Sequence, residues 1–165
     1  MMASIHAVVG ISTSLAFCRK VDTDPSKTKQ YIMPLLVGVA LHGVLDVVPH
    51  SHFISAIPDI IVALFVPMLV LPFVKRKYLI LVLVCYGGSI LPDVIDLGVF
   101  RFLGIGAFRI FPWHFAVVYN ALNSVWTNRH VNVLFDLAAL LICVALVLWK
   151  RRDAQRMLCD KPSIM

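Results

Sequence analysis

Residues 75–98 read KRKYLILVLVCYGGSILPDVIDLG: a basic triplet, an apolar run opening at Tyr78, then a proline and two aspartates. Coiled as a helix, the run matches the roughly 20 residues that cross a bilayer. Lys75, Arg76 and Lys77 sit at one end, Asp93 and Asp96 at the other. Working outward, apolar stretches recur at 3–18, 31–48, 57–74 and 131–149, which with 78–95 make five. The composition agrees. Of 165 residues, 60% are hydrophobic and 15% charged, with mean hydropathy +0.88, whereas soluble domains run near a quarter charged. The expected fold is all-α: a single polytopic membrane bundle of about five transmembrane helices. A soluble globular domain is excluded. The net charge of +6 is then a matter of topology and not a nucleic-acid footprint.

The first stretch has no Lys or Arg before its apolar core and no small-x-small cleavage site after it, so it reads as a span and not a signal peptide. Leu15-Ala16-Phe17-Cys18 resembles a lipoprotein box, with bulky Phe17 where a small residue belongs. The segment 97–130, rich in aromatics, Gly and Arg, is the unusual one. Its part from Trp113 to Trp126 reads as an interfacial or re-entrant helix, too short and polar to cross. The residues from Arg19 to Gln30 read as a polar loop.

The cations orient the chain. Arg19, Lys20, Lys27 and Lys29 follow the first span; Lys75, Arg76 and Lys77 follow the third; Lys150, Arg151, Arg152, Arg156 and Lys161 follow the fifth. Twelve of fifteen thus fall on one side, leaving Arg101, Arg109 and Arg129 opposite. The positive-inside bias puts the amino terminus out and the tail 150–165 in the cytoplasm. Tyr31, Tyr78 and Trp149 fit an inner aromatic belt, Trp113 and Trp126 an outer one. Cys18, Cys85, Cys143 and Cys159 form no CxxC pair, so neither a disulfide nor a thiolate metal site is expected.

All nine acidic residues are Asp, which places carboxylates at caps, turns or sites. No histidine falls in a cytoplasmic loop. An ionisable group inside a span costs a few kcal/mol unless paired or bound to metal. The densest motif is His42-Gly-Val-Leu-Asp46-Val-Val-Pro-His50-Ser-His52. His42 and Asp46, four apart, share one helix face, and imidazole with carboxylate suits zinc. His50 lies a turn further, beyond the helix-bending Pro49, and Gly43 permits close approach of a neighbouring helix. The alternative is a metal-free polar contact inside the bundle. Asp93 and Asp96 would repel each other without a cation or proton between them; otherwise one caps the next turn. His114, in Phe111-Pro112-Trp113-His114-Phe115, either folds back over the site or rests at the interface. His6 lies a turn or two into the first span. His52, His130 and Asp136 are weaker candidates, and Asp59 reads as a helix start.

An amino-terminal His6, the H-x-x-x-D of His42 and Asp46, the P-D-x-x-D of Asp93 and Asp96, and His114 together resemble the bacterial YdjM-like family of predicted membrane-bound metal-dependent hydrolases, distantly similar to zinc-dependent phospholipase C. Here the P-D motif follows the H-x-x-x-D helix instead of preceding it. The resemblance implies a zinc hydrolase of the bacterial inner (plasma) membrane, with one or two ions near the outer face. Its ligands would come from His6, His42, Asp46, His50, Asp93, Asp96 and His114. Metal-activated water would attack a phosphoester of a lipid-like or membrane-proximal substrate. With no Glu available, Asp93 or Asp96 would be the general base. Arg101 and Arg109 would hold phosphate or anchor headgroups. The rival from another class is a non-catalytic metal-binding or ion-coupled membrane protein using the same residues. A bis-His haem protein is disfavoured by the paired carboxylates.

Overall fold

A computed structural model describes residues 3–23, 26–48, 56–105, 108–115, 117, 118, 121 and 129–158, without the side chains of 27, 29, 56, 57, 101 and 129–131. The chain is all-helical there: α1 (Ala3–Thr23), α2 (Lys27–Val47), α3 (Ala56–Val70), α4 (Arg76–Asp93), α5 (Arg129–Trp149) and α6 (Arg151–Met157). A 3-10 turn, Leu71–Phe73, extends α3; a π-helical stretch, Val94–Val99, extends α4.

Among the described residues three segments are long and apolar enough to cross a membrane: Gln30–Val47, Arg76–Val99 and Asn132–Trp149. Against the expectation of about five, the other two long helices fall short for opposite reasons. α3 is apolar but only 15 residues long, and α1 has 21 residues but carries five Ser and Thr, one His and a charged end at Arg19, Lys20 and Asp22. That polarity fits its place, because α1 is the helix that all five others touch. His6, Ser12, Thr13 and Ser14 are buried there. Thr13 and Ser14 return their hydroxyls to Val9 and Ile11 carbonyls. By contrast α5 turns Leu134, Leu141, Ile142 and Leu148 outward and buries little besides Asp136 and Cys143. An apolar exterior around a polar centre is what a hydrocarbon solvent selects.

Small residues set the helix spacing. A Cβ on Gly88 would stand 2.5 Å from the Leu35 carbonyl oxygen, one on Gly38 2.9 Å from that of Cys85, and one on Gly10 2.1 Å from Ser89 Oγ. α4 therefore touches α2 and α1 nearly backbone to backbone.

The two ends of the bundle differ in chemistry. At one, Arg19 Nε donates to Asp153 Oδ1 at 2.9 Å, Lys77 Nζ to Asp22 Oδ1 at 2.7 Å, and Arg156 pairs with Asp22 at 3.3 Å. The Lys75 amide donates to the Met157 carbonyl at 2.8 Å. These contacts bring the end of α1, the start of α4 and α6 together, so three basic clusters share one end. They also shorten the expected loop at 19–30: partners for Arg19 and Asp22 let α1 run on to Thr23, and α2 starts at Lys27. Tyr78, expected in an interfacial belt, is wholly buried with its hydroxyl on Asp22. At the other end the Asp59 carboxylate, in the first turn of α3, accepts from the Ala3 and Ser4 amides and the Ser4 hydroxyl. It caps α1 and not its own helix. Cys18, Cys85 and Cys143 are free and buried.

Candidate metal centre

The end opposite the basic clusters gathers the imidazoles. α2 places His42 and Asp46 one turn apart near its carboxyl end, and α4 closes on Asp93. Immediately after Pro92 and Asp93 the helix widens into the π stretch, a distortion frequent at functional sites. The wider turn carries Asp96 away from the direction of Asp93, so the two carboxylates do separate work. The 3-10 turn Pro112–His114 then brings His114 back against both helices.

His42 Nε2 lies 3.0 Å from Asp46 Oδ2 and 3.5 Å from Asp93 Oδ1. His114 Nε2 lies 3.0 Å from Asp46 Oδ2 and 3.3 Å from Asp93 Oδ1. Each of the four residues offers one ligand atom, all within 4.8 Å of one another, so His42, Asp46, Asp93 and His114 could hold a metal ion.

What lies behind each imidazole decides which nitrogen faces the centre. His42 Nδ1 is 2.6 Å from the Ser89 carbonyl oxygen; that oxygen can only accept, so Nδ1 carries the proton. His114 Nδ1 is 2.8 Å from Asp96 Oδ2, again an acceptor. Both rings thus turn Nε2 inward, backed by a carbonyl in one case and a carboxylate in the other, the usual outer support of a metal-bound histidine. Asp96 is fully buried and also accepts from the Ile110 amide at 2.9 Å and the Phe111 amide at 3.1 Å. It anchors the irregular strap 108–115 and aims His114.

Three buried atoms of the group, His42 Nε2, Asp46 Oδ1 and Asp93 Oδ1, make no hydrogen bond and meet other His and Asp atoms only as ion-pair contacts of 3.0–3.5 Å. Two carboxylates facing two imidazole lone pairs need positive charge between them: one divalent cation, or a second proton on each ring. The four nitrogen–oxygen separations, 3.0 to 3.5 Å, suit N–H···O contacts and the spacing of ligands around one small cation alike.

No family model matches the chain, and no curated protein or solved structure is significantly similar to it. The reading of the centre rests on its own geometry.

Around the group, Trp113 forms a roof. Its indole fills the space that a Cβ on Gly43 would need, 2.6 Å from the ring, and stacks on Phe111 with centroids 5.4 Å apart. Gly43 therefore makes room for an aromatic ring and not, as expected, for another helix, and Trp113 stands over His42 with ring centroids 6.1 Å apart. His6 stands beside the group: it is buried, its Nε2 is 3.3 Å from Asp46 Oδ1, and its ring centroid is 4.2 Å from that of His42. Arg109 donates to the Asp96 and Phe108 carbonyls, tying the strap to the end of α4.

Of the residues singled out in the sequence, His6, His42, Asp46, Asp93 and His114 come together, with Asp96 behind them. His50, His52 and much of 113–126 lie outside the described residues, as do the side chains of Arg101 and His130; what is described of 113–126 is the end of a 3-10 turn and helical backbone at 117, 118 and 121. Asp136 is buried on α5 beside Ser4 and Val62, outside the group. Ser89 and the roof role of Trp113 escaped sequence reading. A serine carbonyl carries no signal of its own, but the short step from Trp113 to His114 hinted that the two dock together.

Proposed function

We propose that the chain is a membrane-bound metal-dependent hydrolase acting at the outer face of the bacterial plasma membrane, with five spans and its amino terminus outside. The ligand chemistry of two imidazoles and carboxylates favours zinc. The observation that carries the reading is the inward aim of both Nε2 atoms onto Asp46 and Asp93, each ring held from behind.

His42, Asp46 and His114, whose nitrogen–oxygen separations are both 3.0 Å, would hold the ion, in a two-histidine, one-carboxylate set like those of catalytic zinc sites. Zinc, when bound, supplies a Lewis acid and brings the pKa of a coordinated water towards about 7. Asp93 stands further off, at 3.3 and 3.5 Å from the two nitrogens, and its side chain is the most exposed of the four at 17%. Its Oδ1 is buried against the two rings, so the exposed remainder of the carboxylate would take a proton from a nucleophilic water and return it to the leaving oxygen. Trp113 and Phe111 exclude solvent from the opposite side, and Ser89 and Asp96 fix the two rings. A phosphoester is the substrate class that the resemblance to the YdjM-like family suggests.

A second reading has an observation of its own. Four protein ligands within 4.8 Å are also the closed set of a structural ion, which would make this a non-catalytic metal-binding membrane protein. Metal analysis of purified protein, paired with hydrolysis of phospholipid and a soluble phosphodiester, separates the two. The hydrolase reading expects near-stoichiometric zinc lost in His42→Ala and Asp46→Ala, whereas Asp93→Asn keeps zinc and loses turnover. Zinc lost with Asp93→Asn and no turnover in the wild type supports the closed set. Wild-type protein without metal overturns both.

A further inference from the structure

A cavity of about 370 Å3 opens between α3 and the end of α4, within the range of ligand pockets, about 300–1,000 Å3. Ile60, Ala63 and Leu64 form one wall; Ile90, Val94 and Leu97 form the other. Two of its lining residues are charged. Asp59 is committed to capping α1 through the Ala3 and Ser4 amides. Asp93 belongs to the metal group and is that group's most accessible side chain, against 0–7% for the other three. Of the four residues of the metal group only Asp93 lines this apolar cavity, so the cavity borders the centre at that side chain. At its rim Ile60, Leu64, Val94 and Leu97 are all exposed, on the flank that a membrane would cover.

We infer that the cavity between α3 and α4 takes the hydrocarbon chain of a membrane amphiphile, entering sideways from the bilayer and presenting its polar head at Asp93. The inference deepens the hydrolase reading and rests on it for what happens at the head. Three features select the occupant. The walls are apolar, so a free sugar phosphate or nucleotide would gain nothing from them. No cation lines the cavity among the described residues, so an anionic head would have to meet its positive charge at the ion. The small side chains of Ala3, Ala63 and Gly98 leave a slot for a flexible chain.

Gly98 makes the hypothesis testable without disturbing the fold. A Cβ there has its nearest neighbour, the Asp93 carbonyl oxygen, at an ordinary 3.9 Å, so Gly98→Phe fills the slot from a tolerant position. The full chain would be reconstituted in vesicles containing a phospholipid with a photoactivatable diazirine in its acyl chain, illuminated, and its adducts mapped by mass spectrometry. Adducts should concentrate on α3 and on 90–98, and in Gly98→Phe they should fall to the level seen on the exposed flank of α5. Ala63→Leu, at the other wall, should act in the same direction. Adducts spread evenly over Leu134, Leu141 and Leu148 as well, or unchanged in Gly98→Phe, overturn the inference. The metal reading fails separately: cavity labelling that persists with zinc-free protein leaves the chain-binding site standing without its chemistry, while full zinc content with even labelling removes the cavity alone.

Discussion

Replacing Asp96 by Asn changes one atom that never faces the centre, yet should weaken the site. Three donors converge on this carboxylate: the Ile110 amide, the Phe111 amide and His114 Nδ1. An Asn side chain offers one accepting oxygen and an NH2 that only donates. If the oxygen keeps the Ile110 amide, the NH2 faces His114 Nδ1 and drives the proton to Nε2, where it blocks ligation. Loss of such outer support lowers metal affinity by about 10–100-fold, or about 1.4–2.8 kcal/mol. Chelator competition on purified wild type and Asp96→Asn gives the ratio directly, with His114→Ala marking complete loss of that ligand. Affinity in Asp96→Asn within about twofold of wild type, alongside a large loss in His114→Ala, would refute the reasoning that Asp96 acts through the tautomer of His114.

Gly88→Val should destabilise the bundle by about 1–3 kcal/mol, read as a lower Tm in detergent, because its Cβ would press on the Leu35 carbonyl oxygen at 2.5 Å. Asp59→Ala strips the cap from α1 and should cost about 1–2 kcal/mol, with faster hydrogen exchange at the Ala3 and Ser4 amides as the local signature. The Lys77 ammonium, helped by the Tyr78 hydroxyl, holds the Asp22 carboxyl below the usual range, and the Arg19 guanidinium does so for Asp153. Both folded-state values are depressed, so their stabilisation is full above the unfolded value of about 3.9 and fades as pH falls through the lower folded values. Between pH 7 and 3 the Tm advantage of wild type over Asp22→Asn/Asp153→Asn should therefore shrink; an advantage that stays constant contradicts the pairing.

The apolar runs and the basic clusters were legible because hydropathy and charge are properties of segments. The meeting of His42, Asp46, Asp93 and His114 was legible because ionisable groups inside apolar helices need partners, and the sequence offered few others. The division of labour between Asp93 and Asp96 was not. It depends on a π stretch after Pro92, which local composition does not announce, and on strap amides more than ten residues further along the chain. Gly43 was misassigned for a related reason: a glycine reports that something comes close, not whether it is a helix or an indole. The cap on α1 was hidden too, since Asp59 lies 56 residues from the amide it receives.

The helix that every other helix touches is also the most polar of the long ones, and it comes first in the chain. Its hydroxyls and imidazole are ill suited to hydrocarbon, and the surfaces that shelter them belong to segments synthesised afterwards. The partners that enclose α1 (above all α2, α3 and α4) therefore all lie later in the chain than the helix they shelter.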